Sequence, residues 1–151
     1  MSVQSSLAVP AASEQVGSAA LGAFILRVTL GVLSFSHGFI LKALTFGFAG
    51  TAGYFESIGY PGFFAYLVII GEIAGGLGLI FGVLPRLAAI AMLPILIGAT
   101  LQHVGNGWLF SGTGGGWEFP VVWTVLLVAS ALIGPGAFAL GRKLPGRLAS
   151  L

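Results

Sequence analysis

The sequence predicts an all-α membrane protein, a bundle of four transmembrane helices with an interfacial segment between helices one and two. Three observations carry that expectation. Of 151 residues, 57% are hydrophobic and only 7% are charged, where soluble domains carry about 25% charged residues. The mean hydropathy is +1.06. Apolar stretches of membrane-crossing length, about 20 residues, recur along the chain between glycine, proline and aromatic breaks. There is no cysteine, which excludes disulfides, thiolate metal sites and cysteine nucleophiles within the chain. The net charge of +2 comes from six basic and four acidic residues, too few basic groups for a nucleic-acid surface.

Taken in order, residues 1–17 are small, polar and unpatterned and read as a flexible tail. They lack the basic n-region of a cleaved signal peptide. The first span, 18–41, is therefore expected to be a retained membrane helix. Residues 42–62 form a connection rich in Phe and Tyr, in which Thr51 is expected to cap a short helix lying at the membrane interface, where amphipathic rings prefer to sit. The second span covers 63–83, and Pro85-Arg86 turns the chain into the third, 86–104, with Pro94 at mid-depth as a kink. A glycine-rich loop, 105–116, leads into the fourth span, 117–140. Residues 18–140 thus form the transmembrane domain, and 141–151 a basic tail with Arg142, Lys143 and Arg147. Four spans place both termini on one side together with Arg86. The positive-inside bias then predicts both termini cytoplasmic, and the membrane is expected to be a bacterial or archaeal cytoplasmic membrane.

The informative residues are the polar ones inside apolar segments, since such groups face protein, water or a partner. Counting 1.5 Å per residue from the helix ends puts Arg27 at roughly 13 Å and Glu72 at roughly 16 Å from the inner side. Opposite charges at matching depth predict an Arg27–Glu72 ion pair between helices one and two. His37 and His103 fall at roughly 28 and 26 Å, and Lys42, Trp117 and Glu118 join them at the outer end. This outer level is the candidate quinone or redox site, because a histidine, a carboxylate and aromatic rings suit a ring carbonyl and its protons. Metal or haem ligation by His37 and His103 is the alternative use of two imidazoles. Haem is disfavoured by the absence of C-x-x-C-H, and no catalytic residue is assigned. Gly71, Gly75, Gly78 and Gly82 on the second span, with Gly31, Ser34 and Gly38 on the first, are stripes that let helices approach closely in lipid. The Gly112–Gly116 run lacks the Gly-Lys-Ser/Thr ending of a P-loop.

Several motifs in fixed order resemble the DoxX family from Leu26 to Ala139. They are the Arg27 segment, His37-Gly38 followed by Lys42, Gly59-Tyr60-Pro61 and Glu72-Ile73-Ala74-Gly75-Gly76. Gly82 with Arg86, Gly98-Ala99 through His103, and Gly115-Gly116-Trp117-Glu118 complete the set. The resemblance implies a four-helix membrane protein similar to the small subunit of a thiosulfate:quinone oxidoreductase. It therefore implies a membrane subunit connected with quinone chemistry, working with other subunits or as a homo-oligomer. With no flavin, nicotinamide or iron–sulfur fingerprint, the chain needs partners for a multi-electron oxidation. A structural or assembly anchor subunit and an oligomeric small-solute transporter are the readings from other classes.

Overall fold

Apolar segments without internal breakers become helices, and they stop where glycine or proline makes stopping favourable. The computed structural model describes residues 16–146, 148 and 151, and the described residues contain helices and no strand. Helix α1, Ser18–Phe35, runs without a break into a π-helical stretch, Ser36–Thr45; α2, Gly47–Ser57, follows. Then come α3, Phe63–Phe81, α4, Pro85–His103, and α5, Glu118–Ile133. Gly82 closes α3 in the left-handed conformation, φ 64°, which glycine adopts without a Cβ penalty. Pro85 starts α4, at a position where a missing N–H is tolerated.

Among the described residues, three helical stretches are long and apolar enough to cross a membrane: Ser18–Thr45, Phe63–Phe81 and Pro85–Asn106. Helix α5 is apolar but shorter, with 16 residues. It ends at Ile133 rather than near Leu140, because Gly134 turns the chain at φ 96°. Residues 134–141 then fold back over the start of α1 and the end of α3. Ala137 N donates to Ala20 O at 2.9 Å, and Gly141 N donates to Gly82 O at 2.8 Å. Helices α1, α3, α4 and α5 pack in a ring in that order, and α2 lies against α3 and the π-helical stretch. Leu30, Leu79, Met92, Leu96, Trp123 and Leu127 fill the centre.

One local expectation is corrected: Thr51 does not cap α2 but lies one turn inside it, with its hydroxyl 2.9 Å from the carbonyls of both Lys42 and Gly47. The Gly71, Gly75 and Gly78 stripe lies against Ile95, Met92 and Ala88 of α4, while α1 meets Gly76. The tail expectation for 1–15, and Arg147 in the basic tail, lie outside the described residues.

The α1–α3 contact is made at backbone distance. A Cβ at Gly76 would stand 2.6 Å from Phe35 N, and one at Gly31 would stand 2.8 Å from Gly76 O. Both would force the helices apart, and overpacking typically costs about 1–3 kcal/mol. Gly76→Val is expected to lower the thermal unfolding midpoint in detergent by several degrees. Gly98→Ala and Gly22→Ala, whose added carbons meet nothing within 4 Å, leave it unchanged or raise it.

Candidate functional site

The register of α1 on α3 decides which charges meet. Gly38 lies against Ile69, Glu72 and Ile73, and a carbon added to it would be 2.8 Å from Glu72 Cβ. Glu72 therefore stands opposite residue 38. Arg27 lies eleven residues earlier on the same helix, about 16 Å along its axis. The expected Arg27–Glu72 ion pair is not formed. Equal distance from the helix ends is not equal level, because α1 begins well beyond the end of α3. Arg27 consequently lies level with the C-terminus of α3, and Glu72 lies near its middle.

Arg27 is fully buried and bonded entirely to carbonyls. Nη1 donates to Leu79 O and, at 2.9 Å, to Ile80 O. Nε donates to Pro135 O at 2.9 Å, and Nη2 to Ala137 O at 3.2 Å. The last carbonyls of a helix have no partner within it and carry the negative end of its dipole. The guanidinium satisfies that end of α3 and ties the segment after α5 to it. Its fork also lies 5.5 Å from the Phe24 ring. Arg86 works likewise on α5, donating from Nη1 to Ala131 O and to Leu132 O at 3.0 Å.

The partner of Glu72 is Lys42, whose Nζ lies 2.8 Å from Oε1 and 2.7 Å from Oε2. Glu72 is 3% exposed. Lys42 reaches it from beyond Gly38 because side chains lean towards the helix N-terminus and because the backbone is wound with i→i+5 bonds. One such bond joins Phe46 N to Leu41 O at 2.9 Å. Thr51 braces this stretch through the Lys42 carbonyl.

One turn before Lys42, His37 Nδ1 lies 3.0 Å from Leu33 O. A carbonyl only accepts, so Nδ1 donates, and the neutral ring keeps its lone pair on Nε2. The imidazole packs edge-on to Trp123, with ring centroids 4.9 Å apart, and stacks at 6.1 Å on Phe119. Trp123 is 4% exposed. Its Nε1 is the buried side-chain polar atom without a hydrogen-bond partner among the described residues. Buried polar groups are nearly always bonded, which makes this donor conspicuous.

His103, Trp117 and Glu118 do not bond to His37 or Lys42; they organise the loop between α4 and α5. His103 Nδ1 lies 2.9 Å from Gly115 O, and Asn106 Nδ2 donates to Gly114 O and Gly115 O at 2.9 and 3.0 Å. Glu118 Oε2 accepts from Phe110 N at 3.3 Å, and Trp117 meets Trp108 edge-on at 4.6 Å. The expected outer cluster thus divides in two. No hydrogen bond or ring contact joins His37 to His103. Among the described residues no group of three or more His, Cys, Asp or Glu is placed to hold a metal.

Sequence reasoning missed Phe119 and Trp123. The available signal was a tryptophan within an apolar span, since its indole N–H needs a partner once buried, four residues after Phe119 on one helix face.

The pairing is testable by double-mutant cycles. Removing one member of a buried pair typically costs about 3–5 kcal/mol, whereas replacing both with apolar groups is far milder. Lys42→Met with Glu72→Leu is expected to be much less destabilising than the sum of the single changes. Arg27→Met with Glu72→Leu is expected to be additive, because the two residues share no partner. Unfolding titrations in mixed micelles measure both cycles.

Against known proteins, the DoxX family model matches residues 22–105. CatD of Bacillus subtilis (strain 168), which carries the name of an oxidoreductase, is 37% identical over 81 residues, 54% of this chain and 58% of that protein. The inner membrane protein YqjF of Escherichia coli (strain K12) is 32% identical over 130 residues, 82% of this chain and 92% of that protein. The match to CatD therefore spans less than two thirds of its length, while that to YqjF spans nearly all of it. No solved structure matches. With more than half of its length under the family model and a full-length relative, the chain belongs to the DoxX family.

Proposed function

We propose that this protein is an integral membrane subunit of, or accessory to, an oxidoreductase complex linked to quinone redox chemistry. The observation that carries the reading is the buried, partnerless indole N–H of Trp123 beside the free Nε2 of His37, between aromatic rings. Phe119 and Trp123 offer ring faces to an apolar ring ligand, while the Trp123 N–H and His37 Nε2 offer one donor and one acceptor to its oxygens. A quinone supplies two-electron, two-proton chemistry when bound. The residues hold and orient the ring, and His37 Nε2 receives or returns a proton, its tautomer fixed by Leu33 O. The Lys42–Glu72 pair beside Gly38 keeps a carboxylate and an ammonium group next to that histidine. His103, Trp117 and Glu118 belong to the site as supports of the loop that leads into α5. The oxidoreductase name of CatD supports the reaction class.

In this reading α5 is the fourth crossing, completed by residues 134–141, and α2 with its aromatic residues lies at the outer interface. Both chain ends then lie on the cytoplasmic side of a bacterial or archaeal inner membrane, with Arg86, Arg142 and Lys143. Electrons come from partner subunits, since the chain carries no electron-carrier motif of its own.

General acid–base groups contribute typically 10²–10⁴-fold. His37→Ala is expected to lower quinone-linked turnover of native membranes at least tenfold while the protein accumulates normally. Glu118→Gln, one turn from the ring, lowers it less. Unchanged turnover in His37→Ala would overturn the reading.

A further inference from the structure

Three large apolar side chains stand side by side at the tip of the loop between α4 and α5. Trp108, Leu109 and Phe110 are 49%, 62% and 65% exposed, and from Gly105 to Trp117 the chain carries no charged residue. Single exposed apolar residues are ordinary, but a contiguous group of them marks an interaction surface.

The backbone beneath these side chains is bonded from within the loop. Trp117 N donates to Gly107 O at 3.2 Å, while Glu118 N donates to Trp108 O and Gly116 N to Leu109 O, both at 3.0 Å. Glu118 Oε2 accepts from Phe110 N at 3.3 Å. A carbon added at Gly116 would collide with the carbonyl oxygens of Gly107, Trp108 and Leu109, so the three carbonyls close over a position that only glycine leaves open. A loop in water can leave its carbonyls to the solvent, whereas the acyl region of a membrane offers them no partner.

The placement of the loop points to the same surroundings. It follows directly on Pro85–Asn106, a helical stretch long and apolar enough to cross a membrane, whose last turns expose Leu101 and Val104. The apolar surface that this stretch presents to lipid thus continues along the chain into the tip. We infer that Trp108, Leu109 and Phe110 form a lipid anchor, inserted at the boundary between headgroups and acyl chains. Tryptophan favours that boundary because its ring is apolar and its N–H polar; Leu109 and Phe110 meet the acyl chains. Because Glu118 both bonds the tip and opens α5, the anchor ties the start of that helix to the bilayer. This holds whether or not a quinone binds the protein.

The test uses the full chain in phosphatidylcholine vesicles. With no cysteine in the sequence, Phe110→Cys and Leu101→Cys each accept a single nitroxide spin label. Power saturation then compares collisions with oxygen, which concentrates in lipid, and with a water-soluble nickel chelate. The label at 110 is expected to favour oxygen, as does the lipid reference at 101. Collisions mainly with the chelate would place the tip in water, and poor access to both reagents would place it against protein, a second copy included. Either result overturns the inference. A second measurement needs no label: phosphatidylcholine brominated near the headgroup end of its acyl chains is expected to quench the tryptophan fluorescence, and Trp108→Phe to remove the larger part of that quenching. Quenching that Trp108→Phe leaves unchanged would also overturn it.

Discussion

The close approach of α1 to α3 is the constraint on which the rest of the molecule depends. Gly31, Gly38 and Gly76 remove the side chains that would hold the two backbones apart, and in lipid such packing replaces a hydrophobic driving force. Because the contact is made at backbone distance, it fixes the sliding register as well as the separation. Residue 38 then falls opposite Glu72, and Arg27 falls beyond the last turn of α3. A shift by one turn would move every polar group by about 5.4 Å and leave two buried charges without partners.

That register accommodates buried charge in two different ways. Arg27 has carbonyls as its partners, in numbers that suit a planar group with five donors, and it closes a helix end that lipid leaves without water. Lys42 and Glu72 neutralise each other in a two-pronged contact held between the π-helical stretch and α3. The first arrangement joins three chain segments and is difficult to rearrange. The second joins two side chains, one of them on backbone wound in the rarer i→i+5 manner often found at functional sites. The two kinds of buried charge are thereby separated along the bundle axis, with the arginine at one end and the Lys42–Glu72 pair further along.

Much of this was legible in the sequence. Composition and the spacing of breakers located the first three spans to within a few residues, whereas the fourth was carried to Leu140, past the Gly134-Pro135-Gly136 break that ends it. Intramembrane Arg27 and Glu72 were recognisable as groups that require partners. Their partners were not, because depth along a helix depends on where neighbouring helices begin relative to each other, and no local pattern encodes that offset. The same gap hid the partner of each glycine: the stripe on α3 lies against α4, while Gly76, outside it, makes the contact with α1. His103 and Glu118 share a level with His37, but level along the axis says nothing about azimuth, and the hydrogen bonds of both residues go to the loop between α4 and α5.

Helix α5 carries the consequence furthest. Its first turn belongs to the loop, through Glu118 and the Trp117–Trp108 contact, and its second turn brings Trp123 against His37. Its end is held by Arg86 and, through the segment after it, by Arg27. A helix fastened at both ends leaves little freedom to its middle, so the indole is placed by the frame rather than by its own bonding. That accounts for how a buried donor can persist without a partner: the cost of one missing hydrogen bond, about 1–3 kcal/mol, is small beside the restraint imposed by four guanidinium–carbonyl contacts at Arg27 and the interlocked loop. A group held unsatisfied by its surroundings is predisposed to take a ligand that satisfies it, since binding then gains the bond without the cost of arranging the site.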